Sequence, residues 1–200
     1  MDKRRALLIV DVQPTFCEGG ELPVQGGNLC AVRIANHVKK HARDYALIVT
    51  SQDWHIDPGS HFSEHPDFVD TWPVHGVAGT PNAQLHASIS GLPIDVSVKK
   101  GMYASAYSAF EGVDEAGNSL ESILRDYDIS ELDVCGLALS HCVKESALDA
   151  QRLGFKTVVY TDLSEPVTRE LGQAALEQLS NNQVVCCRSC TYHTETQAHA

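Results

Sequence analysis

Residues 132–153 read L-D-V-C-G-L-A-L-S-H-C-V-K-E-S-A-L-D-A-Q-R-L, and a change of period inside this stretch decides the fold. Residues 132–139 form an apolar run too continuous for a strand with one wet face. From His141 to Leu153 apolar residues recur at spacings of three and four, with Val143, Ala147 and Ala150 sharing one face, which is the spacing of a helix. A strand buried on both faces that passes directly into an amphipathic helix belongs to a parallel sheet covered on both sides.

The same grammar extends outward. Apolar, branched runs at 6–10, 46–50, 94–98, 157–160 and 183–187 predict five further strands, and helical spacing appears at 29–41, 119–127 and 168–180. The prediction is an α/β chain with a doubly wound six-stranded parallel sheet and helices on both faces. Two hundred residues suit one such domain, residues 1–200, without repeat or linker, and 194–200 read as a frayed tail.

Composition excludes several partners. No apolar run approaches the roughly 20 residues of a bilayer span. The basic start M-D-K-R-R is followed by only five apolar residues before Asp11, with no cleavage site, so a cytoplasmic chain is expected. Seven scattered cysteines fit free thiols in a reducing compartment, and Cys186, Cys187 and Cys190 lack the second half of a zinc motif and read as structural. A net charge of −11 repels nucleic acid and anionic membranes and favours a small ligand.

The ends of the strands carry the reactive residues. In open α/β sheets ligands bind beyond the carboxyl ends of strands, where Asp11, Asp53, His55, Lys100 and Cys142 are all expected. Cys142, at a strand-to-helix passage, sits where free N–H groups and the helix dipole stabilise a thiolate, although this segment alone reads more readily as an inert core thiol. Asp11 could accept the thiol proton, and Lys100 could hold Asp11 ionised. The stretch from Asp53 to about Ala87 shows no sustained period and reads as one long loop, with Trp54, Phe62, Phe68 and Trp72 arguing that something ties it down. Within it, Asp53 and His55 lie two apart, His61 follows six residues later, and His75 adds a fourth candidate. These donor types suit one divalent ion, zinc, iron or manganese, with surface histidines as the plainer alternative.

Together these positions resemble the nicotinamidase/pyrazinamidase branch of the isochorismatase-like cysteine hydrolases over nearly the whole chain. The resemblance rests on D-V-Q-P-T-F-C-E-G-G at 11–20, D-W-H-I-D-P-G-S-H-F at 53–62, W-P-V-H-G-V-A-G-T-P at 72–81, K-G-M-Y-A-S-A-Y-S-A-F-E-G at 100–112 and G-L-A-L-S-H-C-V at 136–143. It implies Cys142 as nucleophile, Asp11 as proton carrier and Lys100 as their electrostatic partner, with Asp53, His55, His61 and His75 holding one divalent metal per chain. It further implies an aromatic slot of Phe16, Trp72 and Tyr107 for a pyridine carboxamide, and oxyanion donors at the backbone N–H groups of Ala138 and Cys142, with a cis peptide before Ala138. The implied reaction turns nicotinamide into nicotinate and ammonia, within pyridine nucleotide salvage. The sequence departs from the family pattern at Pro14 and Thr15, where Asn-Asp is usual, at Gly76, where Cys is common, and at Ser140, where an acidic or aromatic residue is common. These departures bear on substrate range.

Overall fold

The computed structural model describes residues 4–190, so the tail expected from Thr194 lies outside the described residues. Six strands, β1 (Arg4–Val10), β2 (Leu47–Asp53), β3 (Val96–Lys100), β4 (Ile129–Leu137), β5 (Lys156–Glu165) and β6 (Val185–Cys187), form one sheet in the order β3-β2-β1-β4-β5-β6. Every pairing is parallel. The predicted doubly wound, parallel six-stranded sheet is therefore the observed one. The chain winds outward from β1 to β3, returns beside β1 as β4 and winds the other way, opening a crevice at the carboxyl ends of β1 and β4.

The apolar run of β1 explains its central place, because residues 6–10 are fully shielded. Leu7 and Ile9 face a layer containing α1 (Gly27–His41) and α2 (Ala87–Ser90), through Cys30, Ile34, Val38 and Ile89. Ala6, Leu8 and Val10 face α3 (Leu120–Asp126), α4 (Lys144–Arg152) and α5 (Arg169–Asn181), through Leu124, Ala147 and Leu179. Truncating Leu8 to Ala in such a core costs about 2–5 kcal/mol. The helices start where sequence supplies caps: the Ser119 and Thr168 hydroxyls accept the Ser122 and Leu171 N–H groups. Gly26 cannot cap α1, and the Glu18 carboxylate substitutes, accepting the Gly26 N–H at 2.6 Å and the Asn28 N–H at 2.9 Å. Among the described residues no helix is long and apolar enough to cross a membrane.

Several boundaries differ from expectation. Strands β2 and β3 end later than predicted, at Asp53 and Lys100, which pair directly across the sheet. Mutual neutralisation of this pair keeps both charges inside the ladder. Strand β5 continues past Tyr160 to Glu165, shifting register against β4 between Val134 and Gly136. Gly136 has φ +126°, and a Cβ there would lie 2.1 Å from the Val10 carbonyl oxygen, so only glycine lets β4 approach β1 at the crevice. The helix predicted from His141 instead begins as a π turn, Leu139–Val143, and becomes α-helical at Lys144. The long loop is ordered by 3₁₀ turns at Gly59–His61 and Pro81–Ala83 and by bridges of His55 with Val77 and Phe62 with Trp72, and it closes in α2.

Candidate active site

The last residue of β3 organises the crevice. Lys100 is 1% exposed, and its Nζ lies 3.0 Å from Asp11 Oδ2, donates to Asp53 Oδ1 and to the Ala106 carbonyl at 2.9 Å, and reaches Cys142 Sγ at 3.7 Å. Four elements converge here because β1, β2, β3 and the turn after β4 all end at the same rim. One ammonium thus serves two buried carboxylates and a sulfur. Burial opposes its charge, but Asp11 and then Asp53 outweigh burial and hold Lys100 well above the ordinary lysine range.

The two carboxylates respond differently. For Asp53 burial acts upward most strongly, but Lys100 together with the neighbouring His55 and His75 holds it well below the usual carboxylate range. Asp11, fully buried at φ +46°, is raised, since burial together with the nearby Asp53 charge exceeds the pull of Lys100. The Ser51 hydroxyl donates to Asp11 Oδ1 at 2.6 Å and orients it. Gln13 fastens the strand ends together: its side-chain N–H groups donate to the Asp53 and Ala83 carbonyls, and its Oε1 accepts the Asp53 N–H.

Cys142 sits in the π turn, 7% exposed. Burial pushes its thiol well above the ordinary range despite Lys100, and Asp11 adds to the rise. The helix start and Lys100 act toward a thiolate, as the sequence suggests, and desolvation of a sulfur anion beside two carboxylates acts against it. The peptide between Leu137 and Ala138 is cis. The Ala138 carbonyl, in the next peptide, accepts the His141 and Val143 N–H groups at 3.0 and 3.2 Å, two bonds that bracket Cys142.

Beside this centre the loop folds three histidines together. The ligand atoms of His55, His61 and His75 all lie within 4.8 Å of one another, and all three residues are buried. His55 Nδ1 donates to the Gly101 carbonyl at 2.6 Å and His75 Nδ1 to the Pro73 carbonyl at 2.7 Å. A carbonyl only accepts, so Nδ1 carries a proton in both rings, and each ring in its neutral form turns a bare Nε2 lone pair inward. Asp53 Oδ2 lies 3.5 Å from His55 Nε2 and 3.7 Å from His75 Nε2, an acceptor facing acceptors. His55 Nε2 and His61 Nδ1 are buried with no hydrogen-bond partner. Such a donor set fits a divalent cation. Gly101, at φ +72°, is required here, since a Cβ would sit 2.6 Å from His55 Cε1.

Phe16, Trp72 and Tyr107 line one pocket of about 480 Å³, open to solvent, with Cys142, Ala138, Asp53, His61 and His75 on its other walls. The Trp72 indole N–H donates to the Tyr107 hydroxyl at 2.8 Å, and that hydroxyl donates to the Val69 carbonyl, locking the slot against the loop. Of the site residues expected from sequence, Phe16, Asp53, His61, Trp72, His75, Tyr107, Ala138 and Cys142 line this cavity, while Asp11, Lys100 and His55 lie behind its wall, joined to it through Asp53 and Cys142. Sequence reasoning missed Ser51, Gln13 and the pocket-lining His141, Leu22, Val24 and Val167. His141 carried a signal, being the chain neighbour of Cys142, whereas Ser51 is recognisable only once β2 is paired with β1. Two of the departures meet, since the Gly76 N–H donates to Thr15 Oγ1 at 3.1 Å. Cys186 and Cys187 are half-buried and Cys190 is exposed, and all are free thiols far from this chemistry in the chain.

The isochorismatase domain family matches residues 5–190. The nicotinamidase/pyrazinamidase of Mycobacterium tuberculosis is 46% identical over 184 residues, covering 91% of this chain and 98% of its own. Among solved structures, the pyrazinamidase of Pyrococcus horikoshii in complex with zinc aligns with TM-score 0.81 at 32% identity, over 92% of this chain and 99% of that one. A yeast nicotinamidase bound to the inhibitor nicotinaldehyde also aligns at 0.81, with 26% identity, over 92% and 100%. Near-complete coverage in both directions leaves no separate region for the likeness to miss, and this chain belongs to the isochorismatase family, in its nicotinamidase/pyrazinamidase branch.

Proposed function

We propose that this chain is a nicotinamidase, hydrolysing nicotinamide to nicotinate and ammonia and accepting pyrazinamide, through a thioester on Cys142. The observation that carries the proposal is the single ammonium of Lys100 in reach of Asp11, Asp53 and Cys142 at the base of an aromatic slot. The relatives named for these activities support the choice of substrate.

In this reading Phe16, Trp72 and Tyr107 sandwich the pyridine ring and bring its carboxamide against Cys142. Asp11 takes the thiol proton as Sγ attacks the carbonyl carbon, and the backbone N–H groups of Ala138 and Cys142 receive the oxyanion. Asp11 then gives its proton to the departing nitrogen, releasing ammonia and leaving the thioester. It next accepts a proton from the attacking water and returns it to sulfur as the acid leaves. A raised Asp11 suits this traffic, because a carboxyl that holds a proton for part of the cycle must not be too acidic. Lys100 steadies whichever of Asp11 or Cys142 is charged. One divalent ion per chain, zinc, iron or manganese, held by Asp53, His55, His61 and His75, would supply a Lewis acid that orients a ring nitrogen and polarises water. We take residues 1–200 as one domain, and the free thiols support a reducing, cytoplasmic setting.

Ammonia release from a panel of small amides tests the assignment. Turnover of nicotinamide and pyrazinamide that disappears in Cys142→Ala is expected. Turnover of an unrelated amide with none of either would overturn the substrate, and full activity of Cys142→Ala would overturn the nucleophile.

A further inference from the structure

The pocket wall next to the nucleophile is an imidazole whose proton is assigned by its neighbour. Ser140 is buried, and its Oγ accepts the Val167 backbone N–H at 3.2 Å. The same Oγ lies 2.9 Å from His141 Nδ1. A hydroxyl has one proton and two lone pairs; the Val167 N–H fills one lone pair, and among the described residues His141 Nδ1 is the one acceptor within reach of the buried Ser140 proton, which is therefore directed to it. The ring then carries its own proton on Nε2. Burial, followed by the charge of Lys144, also lowers His141 from the ordinary histidine range, which favours the neutral ring. His141 stands edge-on to Trp72, with ring centroids 5.7 Å apart, and stacks on Tyr107 at 6.4 Å, so its orientation belongs to the slot itself.

We propose that Ser140 sets the Nε2–H tautomer of His141, and that this N–H is a specificity-determining donor for an acceptor atom on the substrate ring beside the scissile carboxamide. The proposal rests on the amide-hydrolase reading above. His141 lines the same pocket as Phe16, Trp72 and Cys142, so in this proposal a ring held between Trp72 and Phe16 with its carboxamide at Cys142 presents the position next to the carboxamide to that imidazole. In nicotinamide, with its nitrogen turned to the histidine cluster, that position is a C–H. In pyrazinamide the two nitrogens lie opposite each other, so turning one to the cluster leaves the other beside the carboxamide, where it accepts the His141 N–H. The chemical class favoured at this wall is therefore the 1,4-diazine carboxamide. An acidic residue at 140, as the family pattern commonly has, would reverse the arrangement, drawing the imidazole proton to Nδ1 and turning a lone pair toward the ring.

The test combines nitrogen NMR of the histidine side chains with kinetics of the holoenzyme. Wild type should show His141 protonated at Nε2, and Ser140→Asp should move the proton to Nδ1. The ratio of kcat/KM for pyrazinamide to that for nicotinamide should fall about fivefold in Ser140→Asp, the worth of one neutral hydrogen bond. Ser140→Thr, which keeps a hydroxyl if the acidic variant folds poorly, should retain both the tautomer and the ratio. A wild-type His141 protonated at Nδ1, or a ratio unmoved by a demonstrated change of tautomer, would overturn the proposal. A wild type inactive on both amides would refute the amide-hydrolase reading, whereas the tautomer measurement would still decide the Ser140–His141 link.

Discussion

Replacing Lys100 with Met isolates what the buried ammonium contributes. The side chain keeps its length and apolar stem, but Asp11 and Asp53 lose the cation that both of them face. Removing one partner of a buried ion pair costs about 3–5 kcal/mol, because the remaining charge is left desolvated. The variant escapes part of this by protonating. In the wild type Asp53 lies well below the usual carboxylate range, so across neutral pH it is ionised in both folded and unfolded chains and adds no slope. Without Lys100, burial raises Asp53 in the native state alone, and the folded variant binds a proton that the unfolded chain does not. Stability then falls with rising pH by about 1.4 kcal/mol per unit for that proton. Between about pH 5 and about pH 8 the variant should lose about 4 kcal/mol relative to wild type, an amount set by one extra native-state proton over that window. Asp11, raised already, also loses the pull of Lys100 and rises further, so it can only steepen the same pH dependence. Urea denaturation of chelator-treated wild type and variant at the two pH values measures it, with chelation removing any cation from the comparison. A variant destabilised equally at both pH values would refute the claim that Lys100 neutralises Asp53.

Asp11→Asn should lower turnover by several orders of magnitude while ring binding and metal content persist, and Asp11→Asn/Lys100→Ala should be hardly slower than the worse single variant, since groups acting as one unit are non-additive. Multiplying losses in steady-state kinetics would show independent action. Cys142→Ala should abolish ammonia release, whereas Cys30→Ala, at a thiol that burial pushes up to about 12 on the opposite side of the sheet, should retain it, and an assay in which Cys30 proved essential would move the nucleophile. Elemental analysis should find about one divalent ion per chain, lost on His61→Ala together with activity. A fully active preparation without metal would remove the histidine cluster from the chemistry.

The sequence by itself determined the sheet and the cast of the site. Residues 6–10 and 132–137 are apolar at every position but Asp133 and Gly136, and strands so written need cover on both faces, which implies parallel winding and places Asp11 and Cys142 at strand ends. The donor types of Asp53, His55, His61 and His75 were likewise legible, because few other roles gather such residues in one loop. Only the tertiary structure decided where charge could be buried. Asp53 and Lys100 read as residues beyond their strands, since isolated charges end apolar runs, but cross-strand pairing neutralises them and carries β2 and β3 to the rim. Ser51 and Gln13 were invisible for the same reason: their partners, Asp11 and Ala83, are distant in the chain. The protonation of Cys142 was also beyond the sequence, because a helix start argues for a thiolate while the desolvation that opposes it depends on what the finished fold packs around the sulfur.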